Sequence, residues 1–382
     1  HPAESRTLPL GAAAPATRVT IDGEAVQGKS ADELKQAPAN IPAQDFQITD
    51  ETRLGKGGEV EKFNDNLAAI RILKTIEAEN RRATPAEQAT LARYVGWGGL
   101  ANAFDTAGKF KDGWEKRGAA LAELLTPKEL AAARRSTRNA HFTSQTVVSG
   151  MWKAMERLGF AGGVVLEPSL GTGNFIGLMP EAYRGKAKFV GIELDSLTAR
   201  IAGALYANET VLHSPFQKVP LAENTFDAAI GNPPFGQESL AFQYSPELNG
   251  QSIHNQFFIA SLDAVKPGGV MSMVVSRYLM DKKGDAARRM MDARAELLGA
   301  IRLPDTAFKE NARTDVVTDI LFFRKRTPME LAQREAEAEE SRKAKQSVEP
   351  SSWTQTTTVP DPLGGDPIEV SRYFAENPHM ML

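Results

Sequence analysis

Short segments rich in β-branched and aromatic residues alternate with helical segments over residues 141–326 of this 382-residue chain. Consecutive parallel strands need a crossover connection, which is usually a helix packed on one face of the sheet. The alternation therefore predicts an α/β fold with a Rossmann-like, doubly wound, mostly parallel seven-stranded sheet. The predicted strands are residues 163–167, 188–193, 210–212, 226–231, 269–276, 298–303 and 318–323, and the predicted helices are residues 145–158, 174–181, 196–207, 255–265 and 285–298.

Composition and periodicity divide the chain into four regions. Residues 1–45 are rich in Ala, Pro, Gln and Gly, which predicts a flexible leader. Residues 46–140 predict a helical N-terminal subdomain, because apolar residues recur at helical spacing and two Thr-Pro-x-Glu capping boxes are present. The α/β domain follows at residues 141–326. We expect a charged helix and a flexible tail at residues 327–382.

Composition also excludes several kinds of chemistry. The chain has no Cys and its five His show no close spacing, so we expect no disulfide, thiolate nucleophile or metal centre. No apolar run approaches the ~18–20 residues that span a bilayer, so we expect no membrane partner and a cytoplasmic location. The net charge of −3 gives no general indication of a nucleic-acid partner. The chain begins with His1 rather than Met, and we expect a piece of a longer protein.

The first candidate site follows the first predicted strand, where residues 167–175 read Glu-Pro-Ser-Leu-Gly-Thr-Gly-Asn-Phe. A glycine turn between a strand and a helix places backbone N–H groups near a ligand. Twenty residues past Gly173, the next predicted strand ends in Glu193, whose carboxylate can accept hydrogen bonds from both ribose hydroxyls of a nucleoside. Ile176 stands where a dinucleotide fingerprint needs its third glycine. The pattern predicts an adenosine-containing cofactor, although a tight turn and a surface acid would look similar.

The second candidate site is Asn-Pro-Pro-Phe at residues 232–235, at the carboxyl end of the predicted strand 226–231. Two consecutive prolines stiffen the backbone and fix the orientation of Asn232 and of the Pro233 carbonyl. An amide oxygen beside a carbonyl oxygen forms an acceptor pair for an exocyclic amino group, and Phe235 offers a face on which a base can stack. In isolation the same residues could form a proline-rich turn with a buried Phe.

Together these motifs resemble class I S-adenosylmethionine-dependent amino-methyltransferases, chiefly DNA adenine-N6 methylases, with the motif order of the gamma type. His141-Phe142-Thr143-Ser144 resembles the leading cofactor motif of that family. The resemblance implies S-adenosyl-L-methionine as cofactor and the class I methyltransferase fold. It implies that Thr143 lies near the methionine carboxylate, Glu167 faces the methionine amino group and Glu193 faces the ribose. The implied cofactor-binding set is Thr143, Glu167, Pro168, Gly171, Gly173, Asn174, Phe175, Glu193 and Phe216, and the implied catalytic set is Asn232, Pro233, Pro234 and Phe235.

More loosely, residues 46–140, with Tyr-Val-Gly-Trp-Gly-Gly at 94–99, are similar to the leader of large phage and plasmid methyltransferase–helicase fusions. One departure stands out. Gamma-type enzymes usually carry Asp-Phe after the third strand, whereas residues 212–216 here read Leu-His-Ser-Pro-Phe. Phe216 could still pack on the adenine of the cofactor, but no carboxylate stands at that place.

The resemblance implies methyl transfer to the N6 amino group of a flipped adenine in DNA, with a helicase or recognition domain in the same or a partner chain. One alternative is an RNA or protein-glutamine amino methyltransferase. Another is a non-catalytic methyltransferase-fold module of a phage or plasmid anti-restriction assembly, which the altered run at residues 213–216 leaves open. We expect the polar loop 236–254 to act as a lid over the target base or to be a disordered insert.

Overall fold

The computed structural model describes residues 19–21, 24–26, 41–106, 108–137, 143–305, 317–347, 350–361 and 364–382. The strands are β1 Val19–Ile21, β2 Glu24–Val26, β3 Gly163–Glu167, β4 Ala187–Glu193, β5 Thr210–His213, β6 Phe226–Gly231, β7 Val265–Ser276, β8 Ala295–Arg302, β9 Thr318–Lys325, β10 Thr356–Val359 and β11 Ile368–Ser371. The α-helices are α1 Glu59–Ala78, α2 Pro85–Leu91, α3 Glu115–Leu124, α4 Pro127–Ser136, α5 Gln145–Arg157, α6 Asn174–Gly177, α7 Ser196–Leu205, α8 Ile253–Ala264, α9 Tyr278–Asp281, α10 Ala286–Asp292, α11 Pro328–Lys343 and α12 Arg372–Glu376. No helix in these ranges is long and apolar enough to cross a membrane.

Seven of the strands form one sheet in the order β5-β4-β3-β6-β7-β9-β8. The pairs β4–β5, β3–β6 and β6–β7 are parallel, whereas β9 runs antiparallel to both of its neighbours. This mostly parallel sheet with one reversed strand is the class I methyltransferase fold, so the fold class predicted from the sequence is confirmed.

The strands lie close to their predicted positions, and two helices are shorter than predicted. Helix α6 ends at Gly177 rather than at residue 181, because Pro180 lacks a donor and disfavours helical backbone at the residue before it. Helix α10 ends at Asp292 because Ala295 already begins β8. The predicted helix 285–298 was therefore wrong over its second half.

The described residues fall into two compact units. The first contains residues 41–152 and Ser169–Val219, with strands β4 and β5. Its helical part has the predicted capping boxes at Thr84 and Thr126, where each Thr hydroxyl accepts the third backbone N–H. Trp97 is 2% exposed and packs edge-on against Phe104, so the glycine-rich segment 94–99 is a turn around a buried Trp.

The second unit contains Lys153–Pro168 and residues 220–305 and 317–382, with strands β3 and β6–β9. Its tail, which the sequence predicts to be flexible, contains the antiparallel pair β10–β11 and the helix α12. Arg288 of α10 is 1% exposed and donates hydrogen bonds to the carbonyl oxygens of Thr354, Leu279 and Lys282. The guanidinium thereby joins the tail to the segment that follows β7.

Replacing Arg288 tests this attachment. Arg288→Leu leaves buried carbonyl oxygens without donors, and we expect the free energy of unfolding to fall by about 2–4 kcal/mol. The adjacent Arg289 is exposed and pairs with Asp285 on the surface, so Arg289→Leu should change it by only about 0.5 kcal/mol. Urea unfolding of both variants measures the difference. Equal effects of the two substitutions would contradict a structural role for the buried guanidinium.

Candidate active site

In the first unit, the glycine turn is bound to the end of β4. The Gly171 N–H donates to Glu193 Oε2 at 2.8 Å, and the Leu170 N–H donates to the Ile192 carbonyl at 2.9 Å. Gly171 and Gly173 have φ values of 57° and 81°, in the left-handed region that favours glycine. A Cβ atom at Gly173 would also collide with the Tyr206 ring. The sequence pattern of two glycines and a downstream acid therefore corresponds to one local structure.

The Glu193 carboxyl is held by backbone N–H groups on both sides. Its Oε1 accepts from the Asp195 N–H at 2.7 Å, while Oε2 accepts from Gly171. Desolvation by burial raises its pKa from 4.5 to about 7, although these backbone hydrogen bonds lower it. Each carboxylate oxygen has a second lone pair, so the ionised group can accept hydrogen bonds from two adjacent hydroxyls. This pair of acceptor oxygens fits the ribose hydroxyls of an adenosine-containing cofactor.

The predicted leading motif meets the glycine turn through Asn174. The Asn174 Nδ2 donates to the Thr143 carbonyl at 3.3 Å, and its Oδ1 accepts from the Thr172 hydroxyl at 3.2 Å. The Phe175 side chain is 2% exposed, and its carbonyl accepts from Trp152 Nε1 at 3.0 Å. Asn174 and Phe175 thus support the turn from inside the unit. His141 and Phe142 lie outside the described residues.

The run that departs from the family pattern lies beside Glu193. His213 is the register partner of Glu193 on β5, and the Ser214 N–H donates to the Glu193 carbonyl at 2.9 Å. Phe216 follows in a short 3₁₀ turn and is 4% exposed. Burial lowers the pKa of His213. Ser214 therefore fixes the path of the chain past Glu193, and Phe216 is a core residue of the first unit.

In the second unit, Glu167 and Pro168 lie against the residues that precede Asn232. The register pairs Leu166 with Ala229 in parallel strands, so β3 and β6 end side by side. A Cβ atom at Gly231 would lie 3.3 Å from Pro168 Cδ, which is tighter than nine in ten real Cβ contacts. Glycine at this position lets the Glu-Pro pair approach the end of β6. Glu167, which is 1% exposed, is thereby placed beside the start of the Asn-Pro-Pro-Phe segment.

Two residues that sequence reasoning missed hold the chain after Phe235. His254 Nδ1 lies 3.2 Å from the Gly236 carbonyl, and its Nε2 lies 3.2 Å from the Ser252 hydroxyl. Gln256 Oε1 accepts from the Leu240 N–H at 2.8 Å. Its Nε2 donates to the carbonyls of Leu240 and Leu248 at 2.7 and 3.0 Å.

The side chains of His254 and Gln256, in the first turn of α8, therefore hold the backbone of the loop 236–254, whose last two residues begin this helix. The loop is an ordered part of the second unit rather than a disordered insert. The available sequence signal was weak: His254 and Gln256 are two polar residues just before the apolar run that begins at Phe257.

Several known proteins are similar to this chain. Residues 183–303 match the family described as Eco57I restriction-modification methylase. The chain is 28% identical over 284 residues to Defense against restriction protein B of Escherichia phage P1, covering 73% of this chain and 11% of that protein. It is 31% identical over 122 residues to the Type II methyltransferase M.CvrRI of Paramecium bursaria Chlorella virus XZ-6E, covering 32% of this chain and 31% of that protein.

Some solved structures are also similar to this chain, at lower sequence identity. A putative class I S-adenosylmethionine-dependent methyltransferase from Listeria monocytogenes has 16% identity and a TM-score of 0.45, covering 73% of this chain and 90% of that one. A modification subunit of a putative type I restriction enzyme from Vibrio vulnificus YJ016 has 18% identity and a TM-score of 0.43, covering 64% of this chain and 54% of that one. The resemblance to methyltransferases predicted from the motifs is confirmed by the family and sequence matches. The match spans only 11% of the phage protein and 31% of M.CvrRI.

The hold of α8 on the loop can be tested at Gln256. Gln256→Ala removes three hydrogen bonds to loop backbone, so amide hydrogen exchange should accelerate across residues 238–250. We expect a loss of about 1–3 kcal/mol in the free energy of unfolding. Gln251→Ala is the matched control, because that side chain contacts only the Met290 sulfur at 3.8 Å among the hydrogen bonds of the described residues. Unchanged protection in Gln256→Ala would show that the loop is held by other contacts.

Proposed function

We propose that this chain transfers a methyl group from S-adenosyl-L-methionine to the exocyclic N6 amino group of adenine in DNA. The observation that carries the proposal is that Glu167-Pro168 lies against Gly231, the residue before Asn232, at the neighbouring ends of β3 and β6. The match of residues 183–303 to a restriction-modification methylase family supports DNA as the substrate class. The relatives' names favour a restriction-related role.

The first unit supplies residues that fit the cofactor. Glu193 would accept hydrogen bonds from the ribose hydroxyls, and the Gly171–Gly173 turn would lie against the rest of the nucleoside without obstructing side chains. Thr143 is tied to the same turn through Asn174 and would face the methionine end. When bound, S-adenosyl-L-methionine supplies an electrophilic methyl group next to a sulfonium centre.

The second unit supplies the residues that prepare the nucleophile. An adenine amino nitrogen is a weak nucleophile because its lone pair is delocalised into the ring. Asn232 Oδ1 and the Pro233 carbonyl would each accept a hydrogen bond from one amino N–H, which localises the lone pair on nitrogen. The N–CH3 bond would form as the S–CH3 bond breaks, S-adenosylhomocysteine would leave, and the methylated amine would lose one proton to solvent. The two prolines hold both acceptors in fixed orientation, so little reorganisation is needed when the base binds. Phe235 is half-buried and would stack on the base, offsetting part of the few kcal/mol that base flipping costs.

Glu167 would contribute charge rather than proton transfer. It is almost completely buried at the end of β3, beside the Asn-Pro-Pro-Phe segment. A carboxylate there favours a cationic ligand group, which is consistent with the role that the resemblance implies toward the methionine amino group. The phage relative is far longer than this chain, and we propose that target recognition lies in further domains of such a protein or in a partner.

Substitution of Asn232 tests the chemistry. Asn232→Ala removes one of the two acceptors, so the rate of radiolabelled methyl transfer to DNA should fall by about 100-fold or more. Binding of S-adenosyl-L-methionine, measured by calorimetry, should be nearly unchanged. Asn208→Ala, an exposed Asn in the first unit, is the control and should retain full activity.

Three results of that assay would contradict the proposal. Label incorporated only into protein or RNA would identify another amino methyltransferase. Label on DNA that Asn232→Ala does not diminish would remove the motif from the reaction. Absence of cofactor binding in the wild type would favour a non-catalytic module.

The raised pKa of Glu193 predicts a pH-dependent affinity for the cofactor. Below pH 7 this carboxyl is protonated in the folded protein, and its O–H oxygen is then a poorer acceptor for a hydrogen bond from a ribose hydroxyl. Affinity should therefore rise as the pH passes upward through about 7, by at most about tenfold per pH unit. Glu193→Gln should weaken binding and remove this dependence.

Glu209 provides the matched control. Burial raises its pKa to about 7 as well, but its carboxylate accepts from the Phe189 N–H at the other end of β4. Glu209→Gln should leave the pH profile of cofactor affinity intact. If Glu209→Gln removed the dependence, or if Glu193→Gln retained it, Glu193 would not be the group that meets the ribose.

A further inference from the structure

Two tyrosines are exposed on the second unit. Tyr244 and Tyr278 are 53% and 54% exposed, and they are the large aromatic side chains most open to solvent among the described residues. Exposed aromatic rings that combine with cations are the usual platforms for nucleic-acid strands, because every base has a face that can stack. The charges around each ring distinguish the two.

Tyr278 lies near the proposed catalytic segment along the sheet. Gly231 of β6 is level with Met273 of the parallel neighbour β7, so Asn232 is level with the next residue of β7. β7 ends at Ser276, two residues beyond that level, and Tyr278 begins the helix α9 that follows. Asn232 and Tyr278 therefore both lie beyond the carboxyl ends of neighbouring parallel strands.

Positive charge surrounds Tyr278. The Arg277 guanidinium lies 5.3 Å from the centre of the Tyr278 ring, and Arg277 is exposed. Lys282 and Lys283 follow within five residues and are also exposed. Lys283 lies 3.7 Å from Glu369, a loose surface pair. The intervening acid, Asp281, is bonded to Arg302 at 2.9 Å, and Arg302 also pairs with Asp319. Three cations against this one acid give the segment 277–283 a net positive charge.

The charge of Lys282 acts on His254, which contacts the chain just after the proposed catalytic segment. Burial lowers the pKa of His254, and the charge of Lys282 lowers it further, while Glu238 raises it. His254 contacts the Gly236 carbonyl, one residue after Phe235. Lys282 and Glu238 thus act in opposite directions on the residue that contacts Gly236.

Tyr244 belongs to the loop 236–254, which carries two acids and no Lys or Arg. Two exposed carboxylates, Glu238 and Glu247, belong to the same loop, and they would repel a phosphate backbone. The charge distribution therefore favours the segment 277–283 over the loop as a surface for a polyanion.

We propose that residues 277–283 bind the nucleic-acid strand that presents the target base, with Arg277, Lys282 and Lys283 at phosphates and Tyr278 stacked against a neighbouring base. The proposal rests on the proposed function for the identity of the strand. With three cations, the surface accounts for a weak, mildly salt-dependent interaction, with a slope of about −2 to −3 in a plot of log affinity against log salt.

The test is fluorescence anisotropy of a labelled adenine-containing oligonucleotide, single- or double-stranded, titrated with the full chain at several salt concentrations. Tyr278→Ala should weaken binding about five- to tenfold, while Tyr278→Phe should restore it because stacking is retained. Arg277→Ala combined with Lys282→Ala should weaken binding and reduce the salt slope by about 1 to 2. In methyl transfer, the KM for DNA should rise in these variants while kcat at saturating DNA is kept.

Two controls match the variants. Tyr244→Ala removes an equally exposed tyrosine, and Lys343→Ala removes an exposed cation from α11, which follows the opposite end of the sheet. Lys343→Ala should bind the oligonucleotide like the wild type, and Tyr244→Ala should weaken binding clearly less than Tyr278→Ala. Equal losses in Tyr244→Ala and Tyr278→Ala, or an unchanged salt slope in the double variant, would overturn the proposal.

The two proposals fail differently. If the wild type transfers methyl groups to RNA or protein rather than DNA, the proposed function fails, but the surface stands if Tyr278→Ala still weakens oligonucleotide binding. If the wild type methylates DNA and Tyr278→Ala has wild-type KM and affinity, only the surface is refuted. An oligonucleotide that does not bind the wild type at any salt concentration overturns the surface as well.

Discussion

The contact between Pro168 and Gly231 sets the arrangement on which the proposed chemistry depends. Parallel pairing brings the ends of β3 and β6 together, but a side chain at residue 231 would press on the proline ring. Glycine removes that obstacle, so a buried carboxylate at Glu167 and the amide of Asn232 are placed on neighbouring strand ends. A charge and an acceptor pair held by backbone pairing need little reorganisation during a reaction.

The other site elements are held by hydrogen bonds between a side chain and backbone groups. Glu193 fixes the glycine turn by accepting from Gly171, and Gln256 fixes the loop after Phe235 at Leu240. Such bonds position main-chain groups rather than other side chains. As a result, the residues proposed to meet ligands lie on strand ends and turns whose paths are defined within each unit.

Sequence patterns predicted the sheet well and the tail poorly. Buried parallel strands are continuous apolar runs, so β3 and β6 could be recognised from short windows, and glycines with positive φ marked the turn. Burial of the tail depends on distant partners: Trp353 packs on Phe323, and Arg302 stacks 4.3 Å over Phe374. A local pattern of Ser, Thr and Pro gives no sign of such contacts.

The roles of His254 and Gln256 were hidden for the same reason, because each bonds to backbone groups 8–18 residues away. The sequence indicates that two polar side chains enter an apolar helix, but it does not indicate which carbonyl each one meets. The association of the glycine turn with Glu193 was easier to predict, because a strand, a glycine turn and an acid about 20 residues later form a known local structure.

The most direct test of the account is the chemical identity of the product. DNA incubated with the chain and S-adenosyl-L-methionine carrying a trideuterated methyl group would be digested to nucleosides and analysed by mass spectrometry. We predict that the labelled nucleoside is 2′-deoxyadenosine with a trideuterated methyl group on N6. Label found on cytosine, or DNA without label while a protein glutamine or RNA carries it, would contradict the assignment of the Asn-Pro-Pro-Phe segment to adenine in DNA.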